Sequence, residues 1–265
     1  MVSNILCLLI IFATTKISAE NIEDYLTKRN QILSAENNHF LGSDLDLDQY
    51  ETLYNRQLML HKHNELNTSF WSADFAPSRE FYFVKEQIES SDVFKKIKLL
   101  PKGGVLHIHD FGITSSEWVV KNITYRDNLY VCYDNATAWT KFGWFAQAPT
   151  TETCDWNSVQ TMRQTIGSEA MDASLEQAIS ILTDNPEEYA NVDEVWERFD
   201  KAYGALFSLL NYVPVAKDYM YQAFLEQLED NVQYLEFRTV LPGLCHVRFS
   251  IPDFFFGKLI LNLSY

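Results

Sequence analysis

The chain has 265 residues, of which 47% are hydrophobic and 14% aromatic, so it can bury a core and is not a low-complexity sequence. Its 36 acidic residues outnumber its 21 basic residues, which gives a formal net charge of −15. A surface of that sign repels phosphate backbones and anionic lipid headgroups, which argues against nucleic acid and membrane surfaces as partners and leaves a neutral small substrate compatible.

Residues 1–19 predict a secretory signal peptide. An apolar run from Ile5 to Ala13 is followed by small and polar residues, with cleavage expected after Ala19. The run is shorter than the ~20 residues that cross a bilayer, which disfavours a membrane span; a buried N-terminal helix is the other alternative. We therefore expect a secreted, extracellular glycoprotein, with N-x-S/T acceptor sites at Asn67, Asn122 and Asn135 and a further one at Asn262.

Residues 20–98 predict a helical N-terminal region. Apolar residues recur at helical spacing around Tyr25 and Leu53, and Asp44 or Asp46 is the expected N-cap of the second helix. Amphipathic helices bury their apolar face against something, so this region either covers the domain that follows or pairs with a second subunit.

The pattern changes at residues 99–127, where the glycines and the short apolar run of "GGVLHIHD" predict a strand, and "SSEWVVKNI" predicts a helix capped by Ser115 or Ser116. Residues 128–185 are irregular and aromatic-rich, and they read as an insertion with its own small fold. Cys132 and Cys154 are the natural disulfide pair in an oxidising compartment, unless they and Cys245 are all buried free thiols.

Residues 186–241 return to helical periodicity and end in "VQYLEFRTVL", which predicts a strand. A strand, a crossover and a second strand without a hairpin signal indicate a parallel βαβ unit, here with the insertion in its crossover. The very apolar residues 242–265 do not continue this pattern.

Two histidines stand one residue apart near the end of the first predicted strand. Side chains alternate along a strand, so His107 and His109 point to the same side and can converge on one metal ion. The same spacing at His61 and His63 lies on a predicted helix, where such residues diverge by roughly 200° and cannot chelate together. Spacing alone also allows two histidines that are merely hydrogen-bonded.

The segments "PKGGVLHIHDFGITSSEWVVKNITYR" and "DNVQYLEFRTVLP" closely resemble the secreted adenosine deaminases, also called adenosine deaminase-related growth factors. The resemblance covers the chain from about Ile22 to Leu241. It implies an α/β fold, an incomplete (β/α)8 TIM-type barrel with its first two strands. It also implies a dimerisation role for the N-terminal helices, and a Cys132–Cys154 disulfide in a receptor-binding insertion.

The resemblance further implies a zinc site and a reaction. His107 and His109 match two zinc ligands, Asp110 matches an acid that helps to hold the nucleoside, and Trp196 matches a pocket aromatic or is plain helix core. The implied reaction is the hydrolytic deamination of adenosine to inosine and ammonia, in which the zinc ion activates water. The H-x-E and P-C-x-x-C signature of the unrelated base deaminases does not occur.

The family pattern is lost after Leu241. The later histidine and aspartate of the zinc site, the proton-shuttling glutamate and the histidine beside the attacking water belong to later strands of that family, so we expect no catalytic residue in this chain. Three hypotheses follow: an incomplete and inactive form of a zinc-dependent adenosine deaminase, a non-catalytic secreted module that dimerises or acts as a decoy, and a chain that does not fold stably.

Overall fold

The computed structural model describes residues 21–134, 139–150 and 154–239, apart from the side chain of Trp139. The predicted signal peptide, the tail at 242–265, and Asn135, Asn262 and Cys245 lie outside the described residues. The chain divides into two compact units, Met1–Met59 and Leu60–Tyr265. In the described part of the chain, no helix has the length and apolar character that crossing a membrane requires.

The first unit contains helix α1 (Ile22–Asn37) and the start of helix α2 (Gln49–Ser72). Asp48 caps α2: its Oδ1 accepts the backbone N–H groups of Tyr50 and Glu51 at 2.7 and 2.8 Å. The Glu51 carboxylate accepts the N–H of Asp48 in return, at 2.9 Å, which completes a capping box. The expectation of a cap at Asp44 or Asp46 is therefore wrong, because only the residue directly before the first turn can reach these N–H groups.

The second unit begins with the rest of α2, helix α3 (Phe81–Ser90) and helix α4 (Asp92–Lys98). Glu65 on α2 ties these helices together, because its carboxylate accepts the Ser91 hydroxyl at 2.8 Å and the Val93 N–H at 3.0 Å. Both donors lie at the start of α4, where backbone N–H groups lack partners within the helix. The helical character predicted for this part of the chain is therefore present.

Strands β1 (Gly103–His109) and β5 (Val232–Arg238) form a parallel pair, which confirms the predicted parallel unit. Its register runs from Gly103 opposite Val232 to His109 opposite Arg238, with irregularities between Gly103 and Gly104 and between Val105 and Ile108. The mixed helices and strands with this parallel pair are consistent with part of a TIM-type barrel.

The long crossover between these strands starts with the short helix α5 (Ser116–Trp118) and a π-helical turn at Val119–Ile123. A three-stranded antiparallel sheet of the described residues follows, in the order β3-β2-β4, and then two helices. These elements are β2 (Leu129–Asp134), β3 (Trp139–Trp144), β4 (Asn157–Ser158), α6 (Val159–Ile166) and α7 (Ser168–Ile179).

A disulfide joins Cys132 on β2 to Cys154, with 5.9 Å between their Cα atoms. It closes a loop of 22 residues. By constraining the unfolded chain, such a loop stabilises the folded state by about 3 kcal/mol. The predicted pairing of these two cysteines is thus present in the structure.

Helix α8 (Val192–Leu210) and helix α9 (Val213–Glu229) lead to β5. The Trp144 indole Nε1 donates to the backbone oxygen of Leu209 at 2.9 Å, and the Phe142 N–H donates to Ser208 Oγ at 2.9 Å. Buried residues of β2, β3, α6 and α7 belong to one hydrophobic core with those of α8 and α9. The inserted segment therefore has its own sheet but shares its core with the helices that follow.

Candidate functional site

His107 and His109 lie at the carboxyl end of β1, where parallel α/β proteins place their chemistry. Their ring centroids are 5.3 Å apart and their planes are inclined by 59°. Both side chains are exposed, whereas Ile108 between them packs against the core. The structure thus brings the two predicted ligands together, on the side of β1 that faces away from that core.

Two neighbouring imidazoles are of the ligand type that zinc prefers, but a stable site needs at least three protein ligands. Among the described residues, no group of three or more histidine, cysteine, aspartate or glutamate side chains is arranged to hold a metal ion. The donor chemistry of His107 and His109 therefore fits half of a zinc site, and their role as ligands remains a prediction.

Arg238 contacts His107 of this pair, and the sequence analysis does not identify it. Its Nε donates to His107 Nδ1 at 3.2 Å, and its Nη2 donates to the backbone oxygen of Leu106 at 3.2 Å. The same guanidinium lies 3.5 Å from the Glu236 carboxylate. The alternation of polar and apolar residues along "VQYLEFR" could have identified Arg238, since it places Arg238 and Glu236 on the same polar face of β5.

Asp110 follows β1 directly and is 8% exposed. Its Oδ1 accepts the N–H of Phe111 at 3.0 Å, and its Oδ2 accepts the hydroxyl of Thr239 at 2.5 Å. Both oxygens therefore have protein partners, so this carboxylate helps to build the site. Its predicted contact with a nucleoside remains a prediction.

Two tyrosines around Asp110 have a raised pKa. Burial raises the pKa of Tyr219, and the Asp110 carboxylate adds to the rise, while hydrogen bonds from the backbone of Ile113 and Thr114 oppose it. Burial likewise raises the pKa of Tyr203, with a further contribution from Asp110. Both phenols are therefore neutral at physiological pH and can serve as hydrogen-bond donors or acceptors.

A row of aromatic side chains runs along α8 away from His109. Tyr203 lies 6.4 Å from His109 between ring centroids, Phe199 stacks on Tyr203 at 5.8 Å, and Trp196 meets Phe199 edge-on at 5.6 Å. Trp196 is 60% exposed, so the alternative that it is plain helix core is wrong. It belongs to the same row as the histidine site without touching it, and its role in a pocket remains a prediction.

The other histidine pair is not brought together as a chelate. His61 Nδ1 lies 3.4 Å from Asp92 Oδ2, so this histidine joins α2 to the start of α4. His63 is exposed on the same helix. That His107 and His109 are the better metal candidates of the two pairs remains a prediction.

Two predicted glycosylation sites are described. Asn67 is exposed on α2, and Asn122 is exposed on the π-helical turn. The hydroxyl of Thr124, which belongs to the second acceptor triplet, is buried; it donates to Val120 O at 2.5 Å and accepts from Arg163 at 2.6 Å. Glycan attachment at either asparagine remains a prediction.

A cleft of about 510 Å³ lies elsewhere, between the insertion and α8. Its lining includes Tyr133, Glu197, Arg198 and Lys201, and neither His107 nor His109 belongs to it. Side chains of both charge signs line it, so its chemistry does not mark it as a nucleoside pocket.

Comparison with known proteins points to one family. Residues 4–97 match the model of the adenosine/AMP deaminase N-terminal domain. The chain is 34% identical over 218 residues to adenosine deaminase 2-A of Danio rerio, an alignment that covers 81% of this chain. It is 38% identical over 225 residues to the adenosine deaminase of Phlebotomus duboscqi, an alignment that covers 84% of this chain. It is 36% identical over 220 residues to adenosine deaminase 2 of Sus scrofa, an alignment that covers 81% of this chain.

These alignments cover only 42% to 43% of the three relatives, so the chain spans less than half the length of the proteins that it matches. The chain belongs to the adenosine deaminase 2 family, whose members are also called adenosine deaminase-related growth factors.

Proposed function

We propose that this chain carries part of the active site of a secreted, zinc-dependent adenosine deaminase, with His107 and His109 as two of the zinc ligands. The observation that carries the proposal is the pair of exposed imidazoles, with ring centroids 5.3 Å apart, at the carboxyl end of a strand in a chain of this family. When bound, zinc would activate water for attack on the purine carbon that bears the amino group.

The remaining residues have supporting roles in this proposal. Asp110, held by Phe111 N–H and Thr239, would position the nucleoside near the two histidines. Trp196 would contribute an aromatic wall at the far end of the row that starts at Tyr203. Neutral adenosine suits a strongly acidic protein better than a phosphorylated nucleotide does, because the net charge of −15 repels phosphate.

Secretion is part of the same proposal. It is supported by the disulfide between Cys132 and Cys154, since such bonds persist mainly in oxidising compartments. The predicted signal peptide agrees with it. Expression in a eukaryotic secretory system should therefore release the protein into the medium. Mass spectrometry should show that residues 1–19 have been removed and that the accessible acceptor asparagines carry glycan.

We further propose that the 265-residue chain alone does not turn over adenosine. Two imidazoles hold zinc weakly, and the described residues offer no cluster of three ligands. The purified chain should bind zinc weakly, through His107 and His109, and should convert no adenosine to inosine. Zinc binding should fall in His107→Ala but not in His63→Ala, the matched histidine of the helix; robust turnover that is lost in His107→Ala would overturn the proposed inactivity.

A second candidate function is a non-catalytic secreted module that dimerises through the N-terminal helices. None of the residues of α1 is buried, and Ile22 and Tyr25 are 71% and 55% exposed. Exposed apolar side chains in such number on one helix are typical of an interface. The partner would be a second copy or a longer relative, and the insertion would contact a cell-surface receptor.

Co-expression with a full-length relative would test this second function. Pull-down should recover a heterodimer, and Tyr25→Glu combined with Leu26→Glu should abolish it. The matched control reverses the charge of a nearby residue of the same helix, as Lys28→Glu, and should leave the dimer intact. Failure to recover any dimer with the unaltered chain would contradict the dimerisation role while leaving the zinc ligands untouched.

A further inference from the structure

The cleft of about 510 Å³ lies between three parts of the fold. One wall is the pair of strands β2 and β3, where Tyr133 stands opposite Thr140 in the register, so that both side chains share one face of the sheet. The second wall is α8, and the third is the short turn at Pro186–Glu188 together with Tyr189. The volume lies within the range of ~300–1,000 Å³ in which proteins hold small organic molecules.

Helix α8 turns a charged face to this cleft. Four charged residues recur at intervals of three and four positions, which places them on one side of the helix: Glu194, Glu197, Arg198 and Lys201. The aromatic row that leads to His109 occupies the opposite side of α8. The cleft is therefore separate from the candidate zinc site.

The positive groups of the cleft are already engaged by the protein. Lys201 Nζ lies 2.7 Å from Glu197 Oε1, and Arg198 Nη2 donates to the backbone oxygen of Gln177 on α7. An anionic ligand would have to displace one of these contacts before it could pair with either cation. The lining thus disfavours an anion.

The negative groups retain capacity to accept hydrogen bonds. The Glu188 carboxylate has no hydrogen bond or ion pair to any other residue that the structure describes. Glu194 accepts one N–H on each oxygen, from Ala190 at 3.0 Å and from the Asn191 amide at 3.3 Å, whereas a carboxylate offers about four acceptor sites. Three carboxylates and two cations among the described lining residues leave a net charge of −1, which suits a ligand with one positive charge.

Two tyrosine rings supply the remaining character of the lining. Tyr133 is 58% exposed, and Tyr189 is partly buried. The face of a tyrosine ring attracts a cation and also packs against apolar carbon. The same chain shows such a contact elsewhere, because the Arg163 guanidinium lies 3.6 Å from the centre of the Tyr125 ring. A ligand that matches this lining combines one positive charge with an aromatic body.

We propose that the cleft is a binding site for an organic monocation, namely a primary amine on an aromatic body. The Glu188 carboxylate accepts the ammonium group, and the body packs against Tyr133 and Tyr189. The net charge of −15 favours the approach of a cation to the protein. This binding site goes beyond the proposed deaminase function, because it uses neither histidine of the candidate zinc site.

Tyramine is a suitable probe, because it joins a primary ammonium group to a phenol ring. Isothermal titration calorimetry with the full chain should show one tyramine molecule bound per chain. 4-Ethylphenol lacks the ammonium group, and 3-(4-hydroxyphenyl)propionate carries a carboxylate in its place. Both should bind at least about tenfold more weakly, because each loses a charge-assisted hydrogen bond. Absence of tyramine binding, or equal affinity for the three compounds, would overturn the proposal.

A neighbouring carboxylate provides a matched control for Glu188. Glu188→Gln should weaken tyramine binding about tenfold. Glu187→Gln changes the net charge equally in the same exposed turn, but Glu187 is not among the described lining residues, so affinity should stay the same. Equal losses in the two variants would assign the effect to overall charge and refute the site. His107→Ala should leave tyramine affinity unchanged; a loss there would move the amine to the histidine site.

A change of the opposite sign comes from Lys201. Lys201→Gln releases Glu197 and makes the cleft more negative, so it should strengthen tyramine binding. The control Lys121→Gln breaks the analogous pair of Lys121 with Glu117, outside the described lining, and should leave the affinity unchanged. Weaker tyramine binding in Lys201→Gln would contradict the assignment of the cleft to a cation.

Discussion

Asp110 and Thr239 join the carboxyl ends of the two parallel strands, because the Thr239 hydroxyl donates to Asp110 Oδ2 at 2.5 Å. Asp110 directly follows β1 and Thr239 directly follows β5, so this one contact holds the strand ends that carry His109 and Arg238. The geometry of the candidate site thus depends on a bond between residues 129 positions apart in the chain.

Replacing Asp110 should therefore destabilise the fold. Asp110→Ala leaves the Phe111 N–H and the Thr239 hydroxyl without their acceptor, and should lower the free energy of unfolding by about 1–3 kcal/mol. Thr239→Val removes only one of the two bonds and should cost about 1 kcal/mol. Urea unfolding followed by circular dichroism measures both; an Asp110→Ala variant as stable as the unaltered protein would show that the carboxylate has no structural role.

Trp144 tests whether the insertion and α8 form one cooperative core. The side chain is 2% exposed and its Nε1 donates to Leu209 O at 2.9 Å. Trp144→Ala should cost about 3–5 kcal/mol, whereas Trp144→Phe keeps most of the apolar contact and loses chiefly the hydrogen bond. Thermal unfolding should remain a single transition that shifts as a whole, and a separate transition for the insertion would contradict the shared core.

Arg163 and Arg126 provide a matched pair of arginine–aspartate contacts that differ in burial. Arg163 is 7% exposed, pairs with Asp172 at 2.6 Å and donates to Thr124 O at 2.7 Å. Arg126 pairs with Asp218 at the same distance but is 29% exposed. Breaking a largely buried pair is expensive because the remaining polar groups lose their partner, whereas an exposed pair is worth little.

Arg163→Met should therefore lower the free energy of unfolding by about 3 kcal/mol, and Arg126→Met by less than about 1 kcal/mol. Chemical denaturation of the two variants side by side gives both values. Equal costs would mean that burial does not decide the strength of these contacts.

Tyr219 should make stability depend on alkaline pH. Its pKa in the folded protein is raised, first by burial, so the folded state holds the phenol proton more tightly than the unfolded state does. The contribution is complete below the unfolded pKa of about 10 and is lost as the pH rises through the folded pKa. Denaturation across this range should show a shallower loss of stability in Tyr219→Phe; an equally steep loss would assign the effect to other groups.

Much of the local structure follows from sequence patterns, but the N-cap of α2 shows a limit of such patterns. The helical repeat around Leu53 predicted α2, but several aspartates precede this helix. Periodicity alone does not show which of them is the N-cap. The structure selects Asp48, whose side chain reaches the N–H groups of Tyr50 and Glu51. Element type is encoded by short-range spacing, whereas the boundary depends on which hydrogen bonds geometry allows.

The sequence by itself determined the helices before β1, the strand that carries His107 and His109, the parallel unit and the cysteine pair, because each depends on local periodicity or residue type. Only the tertiary structure decided that Arg238 meets His107 and that Thr239 meets Asp110. These partners are more than 120 residues apart in the chain, and the register of a parallel sheet brings them together. No local pattern in the sequence specifies that register, since it results from packing β1 and β5 on a common core.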